Sequence, residues 1–177
     1  MADPRHLDRL REGVAAWNAW RAGQTLQEID LRGANLSGMD LRGADLWYAK
    51  LQGAHLEGTL LSTAILDRAD LSLADLSGAN LFGARLRGAI LEGTRLDRAS
   101  LVEADLTLAK VVAASVDAAI FTNAVLTGTN FYGTRVDSAL GLEPGTGWLQ
   151  EESPASGAGP GSRDPGLRDG LRRTSGA

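Results

Sequence analysis

Two histidines, His6 and His55, supply all the imidazole in the 177 residues, and cysteine is absent. The missing thiols remove disulfides, Cys-ligated zinc and thiol catalysis together. Neither histidine sits in an HExxH pattern or a triad order, so both are read as solvated surface residues, not as general bases or ligands. Gly157-Ala158-Gly159-Pro160-Gly161 has the glycine content of a phosphate loop. It follows no strand and opens no helix, which makes it linker. Carboxylates recur at one phase, at Asp30, Asp40, Asp45, Asp70, Asp75 and Asp105. At such positions Asp bonds to nearby backbone, a structural role. No catalytic, cofactor-binding or metal residue is assigned, and no cofactor or enzyme is expected.

The elements that position these side chains follow from composition and period. A net charge of -4, with 44% hydrophobic and 23% charged residues, excludes wholesale disorder and a collagen-like fibre. The opening MADPRHLDRLREG carries charges where a signal peptide needs an apolar core. The weakly polar stretch Leu108 to Phe121 is interrupted by Lys110 and Asp117 and falls short of the roughly 20 residues that span a bilayer. A cytoplasmic protein with no membrane contact is the expectation.

An apolar residue occupies every fifth position from Leu26 to Val136: seventeen leucines through Leu106, then Val111, Val116, Phe121, Leu126, Phe131 and Val136. Two residues before each, from Ala34 to Ala139, stand 17 alanines, four threonines (Thr59, Thr94, Thr129, Thr134) and Met39. Eleven glycines between 24 and 140 all fall two residues after the central apolar one. Five residues turn an α-helix by about 500°, and an odd step along a strand alternates faces. Each unit must therefore combine a short extended piece with a turn, and glycine at one phase suits the positive φ of a type II turn. The small and the large residue, two apart, point the same way, which is inward.

The units Ala44-Asp45-Leu46, Ala69-Asp70-Leu71, Ala74-Asp75-Leu76, Ala79-Asn80-Leu81 and Ala104-Asp105-Leu106 resemble the A(D/N)Lxx motif of the pentapeptide-repeat family, and the resemblance covers about 115 of the 177 residues. It implies an all-β fold, a right-handed quadrilateral β-helix with four pentapeptides per coil and between five and six coils over residues 26 to 139. At about 4.8 Å per coil the rod would be roughly 25 to 30 Å long.

Four segments are expected: a capping helix in 1–23, repeats over 24–140, a candidate C-terminal cap in 141–150, and a disordered Gly/Pro/Ser-rich tail over 151–177. Residues 5 to 22 read as one amphipathic helix, with Leu7, Leu10, Val14 and Trp17 at steps of three and four and Trp20 beyond. The stretch Glu12 to Arg21 is similar to a leader that precedes the repeats in some bacterial members, which implies a bacterial setting. The last coils change from leucine to Phe121 and Phe131, with Tyr132 outward and Trp148 beyond. Together with the end-to-end dimers of similar-sized members, this predicts a homodimer through the C-terminal end.

Function is sought on the outward positions. With the repeats aligned every 20 residues, Glu57, Asp97, Asp117 and Asp137 form an acidic stripe. Another side carries Leu60, Phe82, Val102 and Ile120 among Ser62, Asn80, Ser100 and Thr122, a candidate partner face. Members that protect DNA gyrase against quinolones act as DNA mimics, so the resemblance implies a protein partner of the type II topoisomerase class, DNA gyrase or topoisomerase IV, and antibiotic resistance, without direct binding of nucleic acid. Three features pull the other way. Arg95 and Arg135 stand two residues before Asp97 and Asp137, residues 26 to 140 hold 14 acids against 10 bases, and the register never breaks for a protruding loop. The alternative is a structural scaffold or dimerisation rod with no topoisomerase activity.

Overall fold

The computed structural model describes residues 1–24, 28–143 and 147–149. The expected tail over 151–177 lies outside the described residues, as does Leu26. Within them the chain is a β-helix solenoid in which single-residue parallel bridges link each coil to the next. Asp30 pairs with Lys50, Asn35 with His55, Asp40 with Leu60 and Asp45 with Ile65, and the step of 20 residues repeats down the rod. Four bridge columns per step make four sides.

Each side is a short ladder. The Leu71 N–H donates to the Ile90 carbonyl at 2.7 Å, and the Ile90 N–H donates back to Ala69 at 3.0 Å. Between sides, the Ala74 N–H reaches the Leu71 carbonyl at 3.0 Å and closes the turn. Every turn position from 33 to 133 has positive φ: the eleven glycines at 60–70° and ten other residues, from Tyr48 to Asn123, at 50–60°. Only some of these turns were visible as glycine, because the repeating inward pair imposes the conformation on other residues at about 1–2 kcal/mol each.

The interior is the leucine and alanine set, with Leu31 to Leu106 at the central positions buried. Thr59, Thr94, Thr129 and Thr134 are also buried. Their hydroxyls donate to the carbonyls of Leu36, Leu71, Leu106 and Val111, 23 residues earlier, at 2.9, 2.8, 2.8 and 2.5 Å. A buried hydroxyl without such an acceptor would cost about 1–3 kcal/mol.

The single helix expected over 5–22 is two helices, α1 (Pro4–Arg11) and α2 (Val14–Ala22). Asp3 starts α1 by accepting from the Arg5 N–H, and Pro4 fits the first turn. Gly13, at φ 105°, breaks the helix and turns the chain. The break lets both helices bond to the first coil. His6, expected to be solvated, is instead buried, and its Nδ1 accepts the Asp30 N–H at 3.1 Å while the Asp3 N–H donates to the Asp30 carbonyl at 3.0 Å. From α2, Trp17 Nε1 donates to the Asp45 carbonyl (2.8 Å), Asn18 Oδ1 accepts the Asp45 N–H (2.9 Å) and Arg21 donates to the Trp47 carbonyl (2.7 Å). These side chains occupy the hydrogen-bond positions that a preceding coil would fill.

At the other end Leu149 bridges to Asn130, and Trp148 packs edge-on against Phe131 at 5.4 Å. Phe121 and Phe131 are fully buried and contact each other at 5.8 Å. Phe121, Phe131 and Trp148 therefore pack against one another, and of this group Phe121 and Phe131 are not available as contact residues. Of the four residues named for that end, Tyr132, 52% exposed, is the one most open to solvent, since Trp148 is half-buried.

Candidate interaction surface

The outward residues of the solenoid fall on its sides according to the 20-residue step, and two sides stand out. On the first, Leu60 and Phe82 are 37% and 42% exposed, while Val102 and Ile120 are half-buried. The coil step brings all four onto one side, as the spacing predicts, and extends the strip to Leu140, 59% exposed. It ends at the first coil, where Asp40 and Arg42 close a 2.6 Å ion pair. Arg98 stands at the turn leading into this side and Glu103 at the turn leaving it, and neither forms an ion pair among the described residues.

The second side carries the acidic stripe. Glu57 accepts from the Ser37 hydroxyl at 2.6 Å, a bond that holds its carboxyl below the ordinary value. Arg95 pairs with Asp75 at 2.8 Å and lies 3.8 Å from Asp97. Asp97 also accepts the Asp117 N–H at 3.0 Å and bonds the Ser115 hydroxyl. The expected neutralisation of Asp137 by Arg135 is absent: among the described residues, Asp117, Asp137 and Arg135 form no ion pair. Arginine reach decides this, because the partner of a side chain here is as often 18 to 20 residues away as two.

Near the C-terminal end this side loosens. Leu96 donates to the Ser115 carbonyl at 2.7 Å and Ser115 to the Thr94 carbonyl at 3.0 Å, whereas one coil on Ser115 still bridges to Arg135 but through contacts poorer than ordinary hydrogen bonds. The Ala114 N–H turns instead to the Thr134 hydroxyl at 3.0 Å. A cavity of about 470 Å³ opens here, lined by Ala113, Ser115, Val116, Gly133, Arg135 and Asp137 among others.

One feature escaped the sequence reading. Trp47 and Tyr48, each 43% exposed, meet edge to face at 4.3 Å. Arg68 lies 5.4 Å from the Tyr48 ring and hydrogen-bonds its hydroxyl, while the buried Arg21 sits 6.0 Å from Trp47. The available signal was a tyrosine at the turn phase that glycine otherwise favours.

No group of three or more His, Cys, Asp or Glu side chains suited to a metal occurs among the described residues, and His55 stays exposed on the surface. No helix of the described residues is long and apolar enough to cross a membrane.

A solenoid of five-residue units with a four-sided coil is the class of protein that these observations define. The model of the family "Pentapeptide repeats" matches in 8 copies over residues 25–58, 48–81 and 79–115, and the chain belongs to this family. Among solved structures it is similar to the pentapeptide repeat protein Rfr23 from the cyanobacterium Cyanothece 51142, at 26% identity and TM-score 0.51, covering 70% of this chain and 97% of that one. It is also similar to alr5209, a pentapeptide repeat protein from Nostoc PCC 7120, at 27% identity and TM-score 0.44, covering 76% and 91%. QnrB1, a plasmid-mediated fluoroquinolone resistance protein, aligns at 22% identity and TM-score 0.35 over 63% of this chain and 64% of its own. No curated protein matches.

Proposed function

We propose that the chain is a non-enzymatic, rigid interaction module that binds another protein through one side of the solenoid. The uncharged strip from Leu60 through Phe82, Val102 and Ile120 carries this reading, because apolar anchors ringed by uncharged polar residues suit a covered interface. Right-handed winding, a capping role for α1 and α2, and a place in the bacterial cytoplasm belong to the same reading. Phe82→Lys tests it. The side chain points out of the core, so thermal melting should stay unchanged while partner capture from the source cells falls. Unchanged capture would make the strip ordinary sheet surface and favour a scaffold role.

A second reading is favoured by the free carboxylates of Asp117 and Asp137: a DNA-mimicking ligand of a type II topoisomerase, DNA gyrase or topoisomerase IV, with resistance as its consequence. Asp97→Lys with Asp117→Lys should then weaken binding, and added salt should weaken it further. A supercoiling assay with and without a topoisomerase poison decides it, and neither inhibition nor protection at large excess would remove it. A homodimer through the C-terminal end now rests on the exposed Tyr132, and light scattering checks it. A monomer at high micromolar concentration is the result against it.

A further inference from the structure

We propose that the uncharged side is a cradle for one amphipathic α-helix of a partner protein, laid along the solenoid, with a carboxylate on one flank for Arg98 and a cation on the other for Glu103. This rests on the reading that the partner binds the uncharged side.

Along the strip itself, from Leu60 to Ile120, the ladder groups of the backbone are paired. Leu60 donates to Met39 at 3.0 Å, Leu61 to Asn80 at 2.7 Å, Leu101 to Ile120 at 2.7 Å and Phe121 to Leu140 at 2.7 Å. A partner laid over these coils meets side chains only and must satisfy its own backbone. A helix does so.

The dimensions agree. Leu60, Phe82, Val102, Ile120 and Leu140 lie one per coil on five successive coils, and four steps of about 4.8 Å make about 19 Å. That is the length of about 13 helical residues at 1.5 Å each. A helix presents an apolar side chain about every 5.4 Å turn, and against a 4.8 Å step the two repeats drift apart by only about 2.4 Å over the strip.

The flanking charges set the chemistry. Arg98 and Glu103 border the same coil from opposite corners, both are exposed, and both lack ion pairs among the described residues, whereas Arg42, Arg85, Arg87 and Arg95 all hold carboxylates. Two unpaired charges of opposite sign across an apolar strip favour a helix with an acidic and a basic flank over one uniformly charged.

The experiment places a benzophenone photo-crosslinker in the full chain at position 60, 82, 102 or 120, one at a time, in the source cells, and maps the captured partner residues by mass spectrometry. The expected result is one continuous partner segment whose captured position moves by three or four residues for each coil step. A step of one or two residues, or capture of scattered segments, overturns the helix while leaving the strip as a partner face. Capture of this chain by itself makes the occupant a second copy and also overturns it. No capture at any position overturns the strip reading as well. With the crosslinker at 82, Arg98→Glu combined with Glu103→Arg should lower capture about tenfold, and an unchanged yield would overturn the assignment of the flanks.

Discussion

At the N-terminal end of the solenoid, the His6 side chain and the Asp3 N–H bond the two backbone groups of Asp30, and the Trp17 and Asn18 side chains bond both of Asp45, as a preceding coil would. At the C-terminal end Ser115 still bridges to Arg135, but without well-formed hydrogen bonds, and an open groove lies beside them. At the first end the contacts come from elements that are not β-structure, which supply indole, imidazole and amide groups at ladder positions. At the second, among the described residues, Trp148 and Leu149 lie over one side. Backbone groups at a solenoid edge need hydrogen-bond partners, which side chains supply as well as a strand does. Even the first end is covered by halves: the N–H groups of Asn35 and Asp40, on the two sides away from the helices, have no partner among the described residues.

The largest test of this asymmetry is Trp17→Ala, which removes a fully buried indole and orphans the Asp45 carbonyl. It should cost about 3–5 kcal/mol in urea unfolding. Val136→Ala, at a half-buried position of the last coil, should cost far less, about 1–2 kcal/mol. Equal losses would make the two ends energetically alike.

A smaller pair of substitutions asks whether the smaller central residue causes the loosening. Val116→Leu should restore the packing of the leucine coils and raise stability by up to about 1 kcal/mol. The reverse change in the same column at the tight end, Leu36→Val, should lower stability by about 1 kcal/mol. A destabilising Val116→Leu would mean that valine already fills its coil. Amide exchange reads the same contrast without mutation: the Asp45 N–H should exchange at least about tenfold more slowly than that of Val116. Similar rates would show that the helix contacts add no protection.

The smallest effect is acid sensitivity at the N-terminal end. Asp3, Asp30 and Asp40 are each lowered to about 2, chiefly by side-chain hydrogen bonds from Arg5, Arg32 and Arg42. A lowered carboxylate favours the folded state above the ordinary value near 3.9, and that contribution disappears as pH falls from about 4 towards 2. These pairs are solvent-exposed, so salt should weaken the effect. Arg32→Gln should move the NMR titration of Asp30 up towards the ordinary value. No movement would assign the shift to the backbone bond from residue 32.

Much of the fold was legible because its rules are local. The inward pair at a five-residue period and glycine at one phase predict buried columns and turns, and the structure has Leu31 to Leu106 buried and Gly33 to Gly133 at positive φ. Side membership of Leu60, Phe82, Val102 and Ile120 followed once the resemblance supplied the coil of four units. Less was legible about the site. Trp47 with Tyr48, and the free flanking charges Arg98 and Glu103, emerged only when neighbouring coils and the helices were in place.

By itself, then, the sequence determined the phase: which residues face in and, at the glycine positions, where the chain turns. Tertiary structure decided the pairings between coils. Arg85 holds Asp67, 18 residues back, and Arg95 holds Asp75, 20 back, while Arg135 leaves Asp137 alone. It also buried His6, broke the leading helix at Gly13 and put ten non-glycine residues at positive φ. The physical reason is distance. Backbone phase depends on neighbours within five residues, whereas charge partners, edge contacts and cavities depend on groups a coil or more away, whose approach is set by side-chain reach and by how well each coil packs on the next.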